Sequence, residues 1–137
     1  KALRLFNRYD ITGIDEETMQ AHPGVMGKTA VSGYSGKAVK PIALRHIYDM
    51  ATCPELKDIP ISGMGGIETA EDAVEFFLCG ASAIAVGTAN FRNPCIAETI
   101  SHGILDYMIR HGYNKLTDMI GAALPEGSFA LRSGRKE

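Results

Sequence analysis

From Ile59 to Phe91 the chain reads as a strand, a glycine turn, a helix, a second strand and a second glycine turn. Ile59, Ile61 and Ser62 run into Gly63-Met64-Gly65-Gly66, and Ala83-Ile84-Ala85-Val86 runs into Gly87-Thr88. Between them, Ala70, Ala73, Val74, Phe77 and Leu78 recur at helical spacing, with Glu71, Asp72 and Glu75 expected on the wet face. Thr69 followed by Asp72 has the spacing of a capping box, and Gly80 suits a helix stop. A strand–helix–strand unit of this kind makes the two strands parallel, so both turns fall on one edge of the sheet. Small turns there aim several backbone N–H groups at one point, which is what a phosphate needs. The first expectation is therefore a phosphate-bearing cofactor or substrate held by Gly65, Gly66, Gly87 and Thr88.

The flanking sequence extends the alternation. Ala2–Phe6 predicts a short strand ending at Asn7. Arg8 to Ser35 is irregular, with turn signals at Thr12-Gly13 and Pro23-Gly24 and further glycines at Gly27, Gly33 and Gly36. A loop this long inside a compact unit is usually functional. A hairpin between Ile14-Asp15 and Thr29-Ala30-Val31 is one way to fill it. A helix is predicted from Ala38 to about Ala51, with Val39, Ile42, Ala43, Ile47 and Met50 inward and Pro41 in its first turn. Another runs from about Cys95 to His111, with Ile96, Ile100, Ile104, Leu105 and Met108 inward, and a short one comes after it at Leu116, Met119 and Ile120. Ser128 to Glu137 reads as a mobile tail whose Arg132, Arg135 and Lys136 are solvated.

The order strand, loop, helix, strand, helix, strand, helix predicts an α/β fold with parallel strands, the C-terminal portion of a (β/α)8 barrel. Only three strands are expected in 137 residues, whereas a full barrel takes about 250. Residues 1–124 are thus expected to form the C-terminal half of a barrel that needs a missing N-terminal half, with 125–137 as a flexible tail.

Several functions are argued against. A net charge of -2 with 22% charged residues gives no nucleic-acid signal, and no apolar run is long enough for a membrane span. Cys53, Cys79 and Cys95 are odd in number and widely spaced, as in a reduced, cytoplasmic protein. Cys79 and Cys95 read as packing residues. His46 reads as a surface residue, and His102 and His111 carry no metal-ligand spacing. Lys37 and Lys40 could assist an anion, but helix-start lysines are usually solvated.

Three segments in order carry a resemblance: Ser32–Arg45 (SGYSGKAVKPIALR), Ser62–Phe91, and Tyr107–Gly121 (YMIRHGYNKLTDMIG). They resemble the C-terminal part of class 1 dihydroorotate dehydrogenases and the related dihydropyrimidine dehydrogenase barrel. The resemblance implies a cytoplasmic, FMN-dependent flavoprotein that oxidises dihydroorotate to orotate in pyrimidine biosynthesis. It implies FMN-phosphate contacts at Gly65, Gly66, Gly87 and Thr88, flavin contacts near Ser35 and Gly36, and a pyrimidine contact at Asn7. Arg8 and Ser32 depart from the family pattern, which bears on the identity of the pyrimidine. In the family the catalytic base and a flavin-contacting lysine precede the asparagine strand, so no catalytic residue is expected here. A homo-oligomer acting on a small pyrimidine substrate is implied. A barrel reducing uracil or thymine, a phosphosugar barrel using the same turns, and a half-barrel that binds nothing alone are the competing expectations. Gly66→Val is expected to block flavin binding by filling the phosphate position.

Overall fold

The computed structural model describes residues 3–4, 10–30, 32–56 and 58–125. Asn7 and residues 126–137, most of the expected tail, lie outside them.

The chain enters through β1 (Leu3–Arg4). Then come β2 (Asp10–Ile11), β3 (Gly13–Asp15), β4 (Gln20–His22), β5 (Gly24–Val25), β6 (Lys28–Thr29) and β7 (Ser32–Gly33). These form three antiparallel ribbons, β2 with β7, β3 with β4, and β5 with β6. The expected hairpin is therefore wrong in its partners: Ile14 pairs with Ala21 and Thr29 with Gly24, while Val31 lies outside the described residues. The cause is local. Met26 and Gly27 both take positive φ, 50° and 74°, and close a two-residue turn that commits 28–29 to 24–25. Asp15 accepts hydrogen bonds from the N–H groups of Glu17 and Thr18, which folds β3 back onto β4.

After a single 3-10 turn (Lys37–Val39) the alternating part begins: α1 (Lys40–Ala51), β8 (Ile61–Met64), α2 (Ala70–Leu78) and β9 (Ala83–Ala85). The chain then closes with α3 (Ala89–Arg92), α4 (Ile96–His111) and α5 (Leu116–Met119). α3 was not expected. The three strands β1, β8 and β9 lie side by side in that order, and both pairs are parallel, as the alternation predicts. Leu3 pairs with Ile61, and Ser62, Gly63 and Met64 pair with Ala83, Ile84 and Ala85.

Along β8 the burial alternates, with Ile61 and Gly63 buried and Ser62 and Met64 half-buried. The buried side meets helices. A Cβ on Gly63 would sit 2.6 Å from Phe76, 3.0 Å from Ile47 and 3.2 Å from Ala81, so α1 and α2 press directly on the bare backbone of β8. On the other side Ser62, Met64, Ala83 and Ala85 share a face that carries small or flexible side chains, and Ala83 is exposed.

α2 is buried on two sides. Ala73 and Phe76 join the core against the sheet and α1, while Val74 and Phe77 join a second cluster with Met119 and Ile120. Phe76, absent from the expected apolar stripe, is wholly buried. Asp72, expected on the wet face, is only 4% exposed. In α4, Ile96 and Ile100 are buried, but Leu105, expected inward, is 53% exposed. His46 is half-buried rather than on the surface, and Cys95 is exposed at the start of α4 rather than packed. Cys79 packs against the core as expected.

Candidate functional site

β8 and β9 end together, at Met64 and Ala85, and each strand runs directly into a turn of small residues. After β8 come Gly65 and Gly66, with φ of 128° and 70°, conformations that side chains rarely adopt. After β9 come Val86, Gly87 and Thr88, and Thr88 leads into the four-residue α3. Asn90 fixes this second turn by donating from its side-chain amide to the Val86 carbonyl at 2.7 Å.

A third turn meets these two. Gly36 has φ 90° and ψ -174°, a region open essentially to glycine alone, and its carbonyl accepts from Val39 N–H at 3.1 Å. It lies so close to the first turn that a Cβ on Gly66 would be 2.8 Å from Gly36 O and 3.0 Å from Lys40 N. A Cβ on Gly65 would likewise meet Ala43 at 2.9 Å and Val39 at 3.0 Å. Both glycines are thus needed for the close approach of the β8–α2 loop to the start of α1. Gly66→Val is for that reason a poor probe of ligand approach: its side chain would strike α1 before it met any ligand.

Together the turns enclose one open cleft of about 440 Å³, its mouth included. Ser35, Gly36, Gly65, Gly66, Gly87 and Thr88 all line it. The sequence placed these six in one site, and the structure brings them together. Asn7 lies outside the described residues. The cleft also takes in Tyr34, Met64, Ile67 and Glu68, which sequence reasoning did not single out. Met64 could have been found from strand alternation, since it shares with Ser62 the face away from the helices.

Charge around the cleft is managed by pairing. Glu68, the acidic residue of its wall, forms an ion pair with Arg92 of α3. Lys40, expected to be solvated, instead donates to Asp72 Oδ1 at 2.7 Å and to Glu75 Oε1 at 2.9 Å. Asp72 Oδ2 accepts from Glu68 N–H and Thr69 N–H, both at 3.0 Å, and Thr69 Oγ1 accepts from Asp72 N–H at 3.2 Å, completing the predicted capping box. Burial pushes the Asp72 carboxyl up, but the Lys40 ammonium and the two N–H groups outweigh it and hold it below its usual range. The same contact raises Lys40 above its ordinary value, against the effect of burial. Among the described residues no group of three metal-ligating side chains occurs, and no helix is long and apolar enough to cross a membrane.

Comparison with known proteins gives the family. The sequence pattern of the family described as dihydroorotate dehydrogenase matches residues 6–108. The chain is 50% identical over 114 residues to the NAD-dependent dihydropyrimidine dehydrogenase subunit PreA of Escherichia coli, covering 82% of this chain and 28% of PreA. It is 52% identical over 94 residues to the catalytic subunit of dihydroorotate dehydrogenase B (NAD(+)) of Phocaeicola vulgatus, covering 69% of this chain and 30% of that one. Among solved structures, the DHODH of Eimeria tenella in complex with ferulenol superposes with a TM-score of 0.69 at 26% identity, over 88% of this chain and 30% of that chain. In each case the chain spans well under half of the relative. With the family pattern running from Phe6 to Met108 and about half of the aligned residues shared with such relatives, the chain belongs to the dihydroorotate dehydrogenase family.

Proposed function

We propose that this chain carries the FMN-phosphate half of the site of an FMN-dependent oxidoreductase that oxidises dihydroorotate to orotate in pyrimidine biosynthesis. The observation that carries this is the convergence of three glycine turns on one cleft beyond the ends of parallel strands, in a chain of this family. Its sheet is then part of a (β/α)8 barrel completed by an N-terminal half. The small residues Ser62, Ala83 and Ala85 on the face away from the helices suit a barrel interior.

The residues present fit a phosphate monoester. Gly65, Gly66, Gly87 and Thr88 offer backbone N–H groups, and Glu68, the one acid among the described residues that line the cleft, is neutralised by Arg92. Ser35 and Gly36 form the wall nearer the flavin. When bound, the flavin supplies a hydride acceptor, so the protein has to bind, orient and exclude water. Asn7 is proposed to orient the pyrimidine, because an amide can both donate to and accept from its ring edge. None of these side chains is proposed as the base that removes the proton. Assembly as a homo-oligomer in the cytoplasm belongs to the same proposal; the word subunit in the relatives' names supports association with other chains.

A second substrate class is favoured by one observation: over similar spans of this chain, 82% and 88%, PreA shares 50% of the aligned residues and a dihydroorotate dehydrogenase B catalytic subunit 42%. That reading has the protein act on uracil or thymine and their dihydro forms. The test is anaerobic reduction of the flavin in the intact purified protein, then release of the flavin for mass measurement. Bleaching by dihydroorotate supports the first reading, and bleaching by dihydrouracil alone replaces it with the second. A released flavin other than FMN, or no flavin at all, refutes both.

A further inference from the structure

One anion can touch three turns only if their separations are fixed. Strand pairing does not fix them, because the β8–β9 ladder ends at Met64 and Ala85, before the glycines begin. Ion pairs do. Lys40, at the start of α1, reaches across to Asp72 in the first turn of α2. The other oxygen of that carboxylate holds Glu68 N–H and Thr69 N–H, directly after the Gly65–Ile67 turn. The side chain of Glu68 then takes Arg92 from α3, the helix that the Gly87–Thr88 turn opens. A single line of charge therefore runs from α1 through Asp72 and Glu68 to α3, joining all three turns that border the cleft.

We propose that Lys40 and Arg92 are positioning residues that hold the three glycine turns at the spacing a phosphate requires, Lys40 acting through Asp72 and Arg92 acting through Glu68. This rests on the phosphate reading of the cleft. Lys40 is suited to the task because its side chain is 19% exposed and both acceptors lie within 2.9 Å, so water competes weakly. Arg92 has a second effect. It cancels the charge of a carboxylate that would otherwise face the anion across the cleft wall.

The test compares FMN with riboflavin, which lacks the phosphate, by fluorescence titration of the intact apoprotein. Wild type binds FMN more tightly. Lys40→Met raises the FMN Kd about 10-fold and leaves that of riboflavin within about 2-fold, the size expected for loss of a coupling contact. Lys40→Arg restores FMN binding, since a guanidinium can serve the same two carboxylates. Arg92→Gln, at a side chain that is 68% exposed and so no threat to folding, raises the FMN Kd about 3-fold on the same grounds. Equal weakening of both ligands in Lys40→Met would show a merely structural role and overturn the proposal for that residue. Unchanged FMN binding in Arg92→Gln would overturn it for the second tie, and that variant carries the test if Lys40→Met does not fold. Equal wild-type affinity for FMN and riboflavin would instead remove the phosphate reading beneath both.

Discussion

Gly66 and Gly87 both line the cleft, yet the structure gives them opposite vulnerabilities. At Gly66 any side chain meets main-chain atoms that cannot rotate away, Gly36 O at 2.8 Å and Lys40 N at 3.0 Å. The backbone there has φ 70°, which costs an L-residue about 1–2 kcal/mol. Overpacking adds about 1–3 kcal/mol. Gly66→Ala should therefore lose about 2–5 kcal/mol of stability, at about 2–4 °C of Tm per kcal/mol for a domain of roughly this size. At Gly87 a Cβ meets nothing within 4 Å, and φ is not in the left-handed region, so Gly87→Val should fold as wild type does. A valine there still crowds the wall against which a phosphate would pack. Losing one charge-assisted contact is worth about 1.5–3 kcal/mol, or about 10- to 100-fold in affinity. The assay is thermal unfolding of both variants without ligand, then FMN titration of each. Gly87→Val binding FMN with wild-type affinity would remove the second turn from the proposed site. Gly66→Ala unfolding at the wild-type temperature would contradict the close approach of the two loops.

Packing and charge set two further outcomes. Asp72 is held below its ordinary pKa, so the stability it confers is present above the unfolded carboxylate value of about 3.9 and is lost as pH falls through the lower folded value. Asp72→Asn should flatten the acid limb of an unfolding-versus-pH curve, and an unchanged limb would mean that the Lys40 contact does not form in solution. On the outer layer, a Cβ on Gly103 of α4 would fall 2.3 Å from Ala70 Cβ, so Gly103→Val should wedge α4 from α2 at about 1–3 kcal/mol. Urea unfolding measures that loss, and a wild-type midpoint would show that the helices are not in contact there.

Much of the site was legible in sequence because its signal is local. Glycines at strand ends mark turns, and strand–helix–strand alternation places those turns on one edge, so Gly65, Gly66, Gly87 and Thr88 border one cleft, while Ser35 and Gly36, which also border it, were named only through the family resemblance. What escaped depends on long-range partners. Phe76 was passed over because a single apolar stripe explains a helix packed on one side, whereas α2 is packed on two. Asp72 looked like a surface acid because its cation, Lys40, is thirty-two positions away in the chain and adjacent only after folding. The hairpin was given the wrong partners because Met26 takes positive φ, a conformation its residue type does not advertise. Leu105 matched the helical period but is left 53% exposed by the described residues.

The bare backbone of β8 at Gly63 has an evolutionary consequence. Phe76, Ile47 and Ala81 together occupy the volume that a side chain at 63 would need. Positions 63 and 76 therefore trade a shared space and are not free to drift separately. A lineage that gains a methyl group on the strand must first shrink the ring on the helix, and one that keeps the ring keeps the glycine. Substitutions at these two sites should be inherited as a pair, with Phe76→Leu as the step that opens the way for Gly63→Ala.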